Sequence, residues 1–530
     1  MSGWLASILI FLPLAGALFI WLLPVGRLAG SFALLFALAE IGFWINGLVE
    51  FDFDGQGAQF DQSWTWFSDL GVSYHVGYFA FSFWLVGLAV VVMAAAIAYG
   101  FWVGRERPRA YFGLMLFLTS AVVGVFSSQD LFLFYVFFEA MLIPLYVLIG
   151  VWGGAGRLGA TVKFVIYTMA GSLLMLAAVI VFGLEQGTFD LVESGTSDST
   201  WLFLGFAAAF AVKAPLFPFH GWLPDAYRES SPEVAAVLSG LISKAAVFGF
   251  IRICLGKFPE PFDDWRNVFL ALAAIGLVYG SLLAFRAPDV RGVIAYSSLA
   301  QMGLITIGIF AEDTIGISGA ILQAVNHGLI SAALFLLAGT IERRTSTGDF
   351  DRLGGMARGR PALATVLMTT GIIALAVPGS SAFAGEFLIL AGVFGTGWGW
   401  AVAGATGIVL AAMYMLRLIS AVLHTEPGPA VSDSALDLRP AELGIVVPLV
   451  ACLLALSAWP ASISDNSFPS GSGTQAFSTL RMDIGSTDTY ILQGPAQIPS
   501  GCEEDARAAL EEAVQRGETT ALVICPERAR

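Results

Sequence analysis

The residues of this 530-residue chain that could carry chemistry are ionisable groups set inside apolar runs. Lys213 and Lys244 lie in WLFLGFAAAFAVKAPLFPFHGWLPDAYRESSPEVAAVLSGLISKAAVFGFIRIC, residues 201–254, where two bilayer-length runs flank a short polar turn. Glu139 lies deep in LFLFYVFFEAMLIPLYVLIG, His327 in ILQAVNHGLISAALFLLAG, and Glu386 just beyond the break VPGSS. A charge at mid-membrane costs roughly 3 kcal/mol or more, so spans that keep one commonly line an ion or proton path. The alternative is a lysine that snorkels to the surface. It suits Lys163 and Arg417 near helix ends better than Lys213, which is apolar on both sides.

These groups suit proton transfer. Apolar surroundings favour the neutral form of a lone carboxyl, whereas a nearby lysine favours its ionisation, so Glu139 and Lys213 would titrate as a unit. Moving one away would change the hold of the other on its proton. A static buried ion pair fixing two helices is the alternative. His327 can pass protons near neutral pH, or can be a hydrogen-bonded packing residue. Glu386 is the stronger candidate in the second half of the chain. His220 and Asp225, beside Trp222, suit proton uptake, helix capping or interface anchoring. Glu40 in the second run has no assigned role. Pro215 and Pro218 remove two amide donors just past Lys213, and Pro378 removes one before Glu386. Broken helix at membrane depth is tolerated only inside protein or beside water.

The elements that must hold these groups follow from composition. Hydrophobic residues make up 57% of the chain and charged residues 12%, with a mean hydropathy of +0.79. The fold class is an all-α polytopic membrane protein. The net charge of −14 argues against nucleic acid or anionic lipid as a partner. The cysteines show no CxxC or cluster spacing, and the histidines are scattered. No phosphate-binding loop or dinucleotide fingerprint occurs, so no redox cofactor or metal is expected in this chain. Spans are expected near 3–23, 29–49, 79–103, 111–128, 131–151, 161–183, 201–220, 233–255, 268–286, 291–310, 317–341, 362–394, 401–423 and 441–460, about fourteen in all. The first begins almost at Met1 without a cationic segment or cleavage site, so it is expected to be retained. Arg105, Arg107, Arg109, Arg157, Lys163, Arg228, Arg291, Arg343 and Arg344 fall in alternate loops, and acids dominate the others. The basic side is expected to be cytoplasmic and both termini extracytoplasmic.

The two breaks lie five spans apart, which points to repeated five-helix units around a transport route. The expected organisation is 1–110 for helices 1–3, 111–255 for a first repeat, 268–424 for a second, 440–460 for a last helix and 461–530 for a polar extracytoplasmic tail. Within the tail, CEEDARAALEE reads as an amphipathic helix and TALVIC as a strand.

The segment KAPLFPFHGWLPDAYRESSPEVAAVLSGLISKAAVFGFIR resembles the signature of the antiporter-like subunits of respiratory complex I and of Mrp-type cation/proton antiporters. The stretches LFLFYVFFEAMLIPLYVLIG, AYSSLAQMG and HGLISAALFLLAGTIERR match as well, in order, over roughly residues 70–460. PGSSAFAGEFLIL resembles the M-type subunit, chain 4 of the mitochondrial enzyme, where glutamate stands in place of the sister subunits' lysine. The resemblance implies a fold of fourteen helices with two inverted five-helix repeats. It implies a proton-translocating membrane-arm subunit of NADH-quinone oxidoreductase, driven by quinone reduction elsewhere in the complex. Glu139 and Lys213 would be the coupled pair, Lys244 the central relay, His327 the onward link and Glu386 the terminal carboxylate. NADH, flavin, iron–sulfur clusters and quinone would belong to other subunits, and two sister antiporter-like subunits would be neighbours in a bacterial plasma membrane. The alternatives are an Mrp-type Na+/H+ antiporter subunit and the membrane arm of a hydrogenase or related dehydrogenase.

Three departures from the family pattern stand out. Gln301 in SLAQMG replaces a common histidine. An amide positions water but does not take a full proton near neutral pH, so the step from Lys244 to His327 is expected to need a bridging water. Tyr78 and its neighbours replace an Asp-Gly pair, and the tail has no family counterpart.

The expected topology puts the tail where disulfides persist. A Cys502–Cys525 bridge would close a loop of roughly two dozen residues and add about 3 kcal/mol to a small domain; two free thiols are the alternative. Non-reducing mass spectrometry should find the bridged peptide, and alkylation of both thiols without prior reduction would exclude it.

Overall fold

The computed structural model describes residues 2–55, 57–432, 435–468, 482–483, 488–492 and 521–525. Among these, 12 helices are long and apolar enough to cross a membrane: Leu5–Leu22, Gly26–Glu50, Ala80–Val103, Pro108–Ser127, Leu131–Trp152, Arg157–Gln186, Pro232–Leu255, Pro259–Arg286, Val290–Ile309, Thr314–Thr345, Trp398–His424 and Pro440–Ala458. Aspartates open several of them. Asp130 Oδ1 accepts from Leu133 N at 2.9 Å, Asp289 Oδ1 from Gly292 N at 2.7 Å and Asp313 Oδ1 from Ile315 N at 3.0 Å, filling donors that a helix start leaves free. Pro108, Pro232, Pro259 and Pro440 occupy first turns, where a missing N–H costs nothing. Pro232–Leu255 and Thr314–Thr345 each have an 18-residue stretch wholly buried by neighbours and form the centre of the bundle.

Two of the expected spans are not continuous helices, which is why the sequence count exceeds the structural one. The run near 201–220 is the helix Thr200–Lys213 followed by irregular chain and the short helix Leu223–Glu229. The run near 362–394 is two helices, Pro361–Ala374 and Ser381–Thr396. Proline explains the first break atom by atom. Pro215 has no N–H for Ala211 O, so Leu216 N supplies it at 2.8 Å from one residue further on. Val212 O thereby loses its regular partner, and the indole Nε1 of the fully buried Trp222 donates to it at 2.9 Å. Trp222 is therefore a plug for the broken helix. In the second break, Ala376 (φ 51°) and Gly379 (φ 96°) take left-handed conformations around Pro378, and Ser380 Oγ caps the new helix from Phe383 N at 3.2 Å. A left-handed alanine costs roughly 1–2 kcal/mol, so the surrounding packing must hold this turn.

The helices also carry distortions that periodicity does not reveal. Leu131–Trp152 loosens at Met141, two residues after Glu139, because Pro144 offers no donor to Ala140 O. In Pro232–Leu255, π turns at Leu238–Ile242 and Phe250–Leu255 flank Lys244. Such turns leave carbonyls off the regular ladder.

The arginine-rich end is held by enclosed ion pairs. Arg105 Nη2 donates to Glu233 Oε2 at 2.7 Å and Nε to Oε1 at 2.5 Å, while Tyr111 Oη donates to Oε1 at 2.6 Å. Arg344 grips both oxygens of Glu442 at 2.7 Å, which fixes the start of the Pro440–Ala458 helix.

At the acidic end the loop after the second span forms a hairpin: β1 (Gln59–Phe67) pairs antiparallel with β2 (Val72–Tyr78), with Ser63 opposite His75. Gly71 (φ 65°) makes the turn. His75 fastens the hairpin to the bundle: Nδ1 bonds Asp190 Oδ2 and Nε2 bonds Asp61 Oδ1 at 2.8 Å. Gln129 N donates to His75 O at 2.8 Å, and Ser73 N donates to Asp130 Oδ2 at 2.9 Å.

The described residues through Phe53 and from Gly57 through Ser467 form one unit, and Asp54, Gly55 and the tail strands fall in a second. There β3 (Met482–Asp483), β4 (Asp488–Leu492) and β5 (Ala521–Cys525) form an antiparallel sheet in that order. The strand expected at 520–525 is present; the expected helix at 502–512 and Cys502 lie outside the described residues.

Burial alone would lower the proton affinity of His75, but hydrogen bonds and charge from Asp190 and Asp61 outweigh it and raise its pKa from 6.5 to about 9. The folded value lies above the unfolded one, so this clamp contributes fully below about pH 6.5 and is lost as pH rises through about 9. Hydrogen exchange at hairpin amides should therefore stay slow up to neutral pH and show a step of added opening towards pH 9. The His75→Ala variant should exchange faster throughout and lack that step.

Candidate functional site

The central cluster joins three helices. Lys244, fully buried, lies within Pro232–Leu255, and its Nζ donates to Ser239 O at 2.8 Å, a carbonyl in the adjoining π turn. The same Nζ lies 2.7 Å from Nδ1 of His327, which is 4% exposed on Thr314–Thr345. His327 Nε2 lies 3.2 Å from Ser298 Oγ, and Ser298 Oγ lies 2.7 Å from Ser239 Oγ. The hydroxyl of Ser298 donates to Ile294 O at 3.0 Å, which leaves its oxygen to accept. That assigns the ring proton to Nε2 and leaves Nδ1 to accept from Lys244. Two unit charges at this 2.7 Å separation would repel by about 6 kcal/mol even at an effective dielectric of about 20. The pair thus holds one positive charge at most, and contact is direct: the bridging water expected from Gln301 is not needed between these two groups.

The far end of the cluster is the second break. Glu386 is 1% exposed in the second turn of Ser381–Thr396. Gln301 Nε2 donates to its Oε1 at 3.1 Å, and Gln323 Nε2 donates to Gln301 Oε1 at 2.8 Å. A cavity of about 20 Å³, lined in part by Ser297, Gln301, Gln323, His327 and Tyr414, lies in this region. Gln301 therefore belongs to the Glu386 side of the cluster and not between Lys244 and His327.

The first-half pair is arranged differently from expectation. Lys213, 2% exposed, ends Thr200–Lys213, and its Nζ sits 4.4 Å from the centre of the Phe138 ring. Glu139 follows Phe138 but is only half-buried, and no ion pair joins it to Lys213 among the described residues. An aromatic cluster packs beside them: Phe138 and Phe210 centroids lie 6.1 Å apart, Phe134 and Phe248 5.8 Å. No hydrogen bond joins Lys213 to Lys244 among the described residues. Asp225 pairs with Lys163 at 2.8 Å on the surface, and the ring of His220 stacks with Phe217 at 5.7 Å. Pro215, Pro218 and Pro378 act through the breaks described above.

Ser239, Ser298 and Gln323 were not singled out from sequence. Their signals were present: Ser298 and Gln301 are three apart, Gln323 and His327 four apart, each pair on one helix face. Lys244 and Ser239 are five apart, a spacing that only the π turn makes useful.

The chain has relatives by three comparisons, and its helical membrane fold agrees with that of a solved relative. The family model described as NADH:quinone oxidoreductase/Mrp antiporter, TM, matches residues 128–411. The chain is 35% identical to the NADH-quinone oxidoreductase subunit M of Rickettsia prowazekii, over 86% of this chain and 96% of that one. It is 37% identical to the protein of the same name from Mycobacterium tuberculosis, over 87% and 92% respectively. It superimposes on a chain of respiratory complex I from Thermus thermophilus with bound NADH, with a TM-score of 0.81, 30% identity, and coverage of 88% of this chain and 97% of that chain. This chain belongs to the NADH:quinone oxidoreductase/Mrp antiporter membrane family, in its subunit M branch.

Proposed function

We propose that the chain is the proton-translocating subunit M of NADH-quinone oxidoreductase, and that Lys244, His327 and Glu386 carry the proton in that order. The observation that carries the relay is the 2.7 Å contact between Lys244 Nζ and His327 Nδ1. A proton passed from Nζ to Nδ1 turns His327 into imidazolium, whose Nε2–H then faces the opposite side of the ring. The imidazole thus takes a proton on one nitrogen and yields one from the other. Glu386 receives it next to the second break and returns it towards the acidic end.

Lys213 and Glu139 form the control half. Glu139 lies where its helix loosens, so a small shift of that turn changes its distance to Lys213. Moving the carboxylate away removes the attraction that holds a proton on the lysine. The aromatic cluster keeps water from joining Lys213 to Lys244 in the resting arrangement. Quinone reduction in other subunits supplies the shift, and NADH, flavin, iron–sulfur clusters and quinone bind there. The sister antiporter-like subunits flank this chain in the bacterial plasma membrane. The arginine-rich end is cytoplasmic and the hairpin end extracytoplasmic, and the bundle contains two inverted five-helix repeats within fourteen membrane crossings, two of them broken.

In the assembled complex, Glu139→Gln, Lys213→Ala and Lys244→Ala should each lower proton pumping at least about tenfold, the scale of losing a positioned proton-transfer group. NADH oxidation with an artificial acceptor should persist. Lys163→Ala, which removes only a surface ion pair, should leave pumping within about twofold of wild type. Equal losses for Lys163→Ala and Lys244→Ala would contradict the relay.

A further inference from the structure

The relay leaves Gln323 without a part, yet this side chain is better connected to the terminal carboxylate than any residue beyond Gln301. It lies one helical turn from His327 on the same face of Thr314–Thr345 and is 2% exposed. Its Nε2 donates to Gln301 Oε1 at 2.8 Å and reaches Glu386 Oε1 at 3.4 Å. Gln301 Nε2 reaches the same Oε1 at 3.1 Å. Both amides therefore address one carboxylate oxygen, while Glu386 Oε2 and Gln323 Oε1 are enclosed without a protein partner. The helices approach this closely because Gly385 has no side chain: a Cβ there would stand 2.8 Å from Gln323 Oε1.

The cavity of about 20 Å³ bounded by His327, Gln301, Gln323, Ser297 and Tyr414 is large enough for one water and offers it several polar neighbours. Asn326, the next residue along from Gln323's turn, is engaged elsewhere: its Nδ2 donates to Ser381 O at 2.8 Å. Gln323 is thus the side chain of this helix that faces both the histidine's cavity and the carboxylate.

We propose that Gln323 is a positioning residue for the step from His327 to Glu386: with Gln301 it fixes the carboxylate through Oε1, holds one water by its own Oε1, and leaves Glu386 Oε2 to take the proton. The imidazolium N–H bond breaks as a new O–H bond forms on the water, which gives one of its original protons to Oε2. The water is regenerated and His327 returns to neutral. No group other than His327 and Glu386 changes charge, so two amides do here what a titratable residue at position 301 would do. This rests on the relay reading above.

The test uses the intact complex in sealed vesicles, with Gln323→Met as the length-matched variant without hydrogen bonds and Gln323→His as the variant that keeps a donor. Gln323→Met should assemble, oxidise NADH with an artificial acceptor at the wild-type rate, and pump at least about tenfold less. Its remaining pumping should have a pH profile displaced from wild type, which a packing defect would not cause. Gln323→His should keep at least about half of wild-type pumping on the same reasoning. Should Gln323→Met fail to assemble, Gln301→Met, which cuts the same chain of bonds, replaces it with the same expected outcome. Wild-type pumping and pH profile in the Met variant, or equal defects in Met and His variants, would overturn the proposal. If those results came together with a pumping defect in Lys244→Ala, the relay would stand and only the role of Gln323 would fall; a fully active Lys244→Ala would remove both.

Discussion

Everything in this bundle answers to one constraint: a lysine amine placed among apolar helices must have partners there. Lys244 has three within reach, Ser239 O, Ser243 Oγ and His327 Nδ1. The first depends on a backbone arrangement that regular helix would not give. The π turn beside Lys244 brings Ser239 O to the amine, and the Ser239–Ser298 hydroxyl pair ties the neighbouring helix to the ring of His327. An unpaired charge at this depth costs several kcal/mol, so the irregular helix and the enclosed polar contacts stabilise one another. The same logic holds at the second break. There Ala376 keeps a strained conformation while Ser380, Ser457 and Asn326 occupy the donors and acceptors that Pro378 and the interrupted helix would leave open.

The two halves of the chain treat this constraint differently. Lys244, His327 and Glu386 lie in a connected set of bonds and a small cavity. Lys213 has the Phe138 ring against its amine, and Glu139, its expected partner, stands half-buried on a loosened turn. A pair not locked in contact is free to change its separation when a helix turn moves. Connected residues suit conduction; the separated pair suits control. At the acidic end, the His75 clamp between Asp61 and Asp190 joins the hairpin to loops beside Gln129 and Arg252. It sets the hairpin on the bundle without entering the buried route.

How much of this was legible in the sequence depends on the length scale of each signal. Hydropathy located most long helices to within four residues at each end, because a span must be apolar over its whole length; the span expected at 268–286 begins nine residues earlier, at Pro259, because its first turns are polar. Prolines 215, 218 and 378 marked both breaks, because a missing N–H has one structural consequence. The loosened turn at Met141 carried the same mark in Pro144, yet hydropathy ran through it unbroken. The hairpin escaped because the acids around it, Asp52, Asp54, Asp61 and Asp69, read as loop charge. Identity placed Lys244, His327 and Glu386 correctly in the interior. What identity could not give was contact: the Lys244–Ser239 carbonyl bond uses a π turn that no periodicity encodes, and the Lys244–His327 and Gln301–Glu386 contacts follow from helix packing, not chain order. The half-exposure of Glu139 was hidden for the same reason, since apolar neighbours in sequence can face outward together.

The central claim is that His327 itself takes a proton on the nitrogen facing Lys244 and yields one from the other nitrogen during turnover. Isotope-edited infrared difference spectroscopy of the complex, with ring-labelled histidine, reads that event directly. Imidazole bands of a protonated ring should appear when NADH drives quinone reduction, and should vanish in His327→Gln while the other histidines remain. Identical difference spectra in wild type and His327→Gln, with pumping under way in the wild type, would contradict the account.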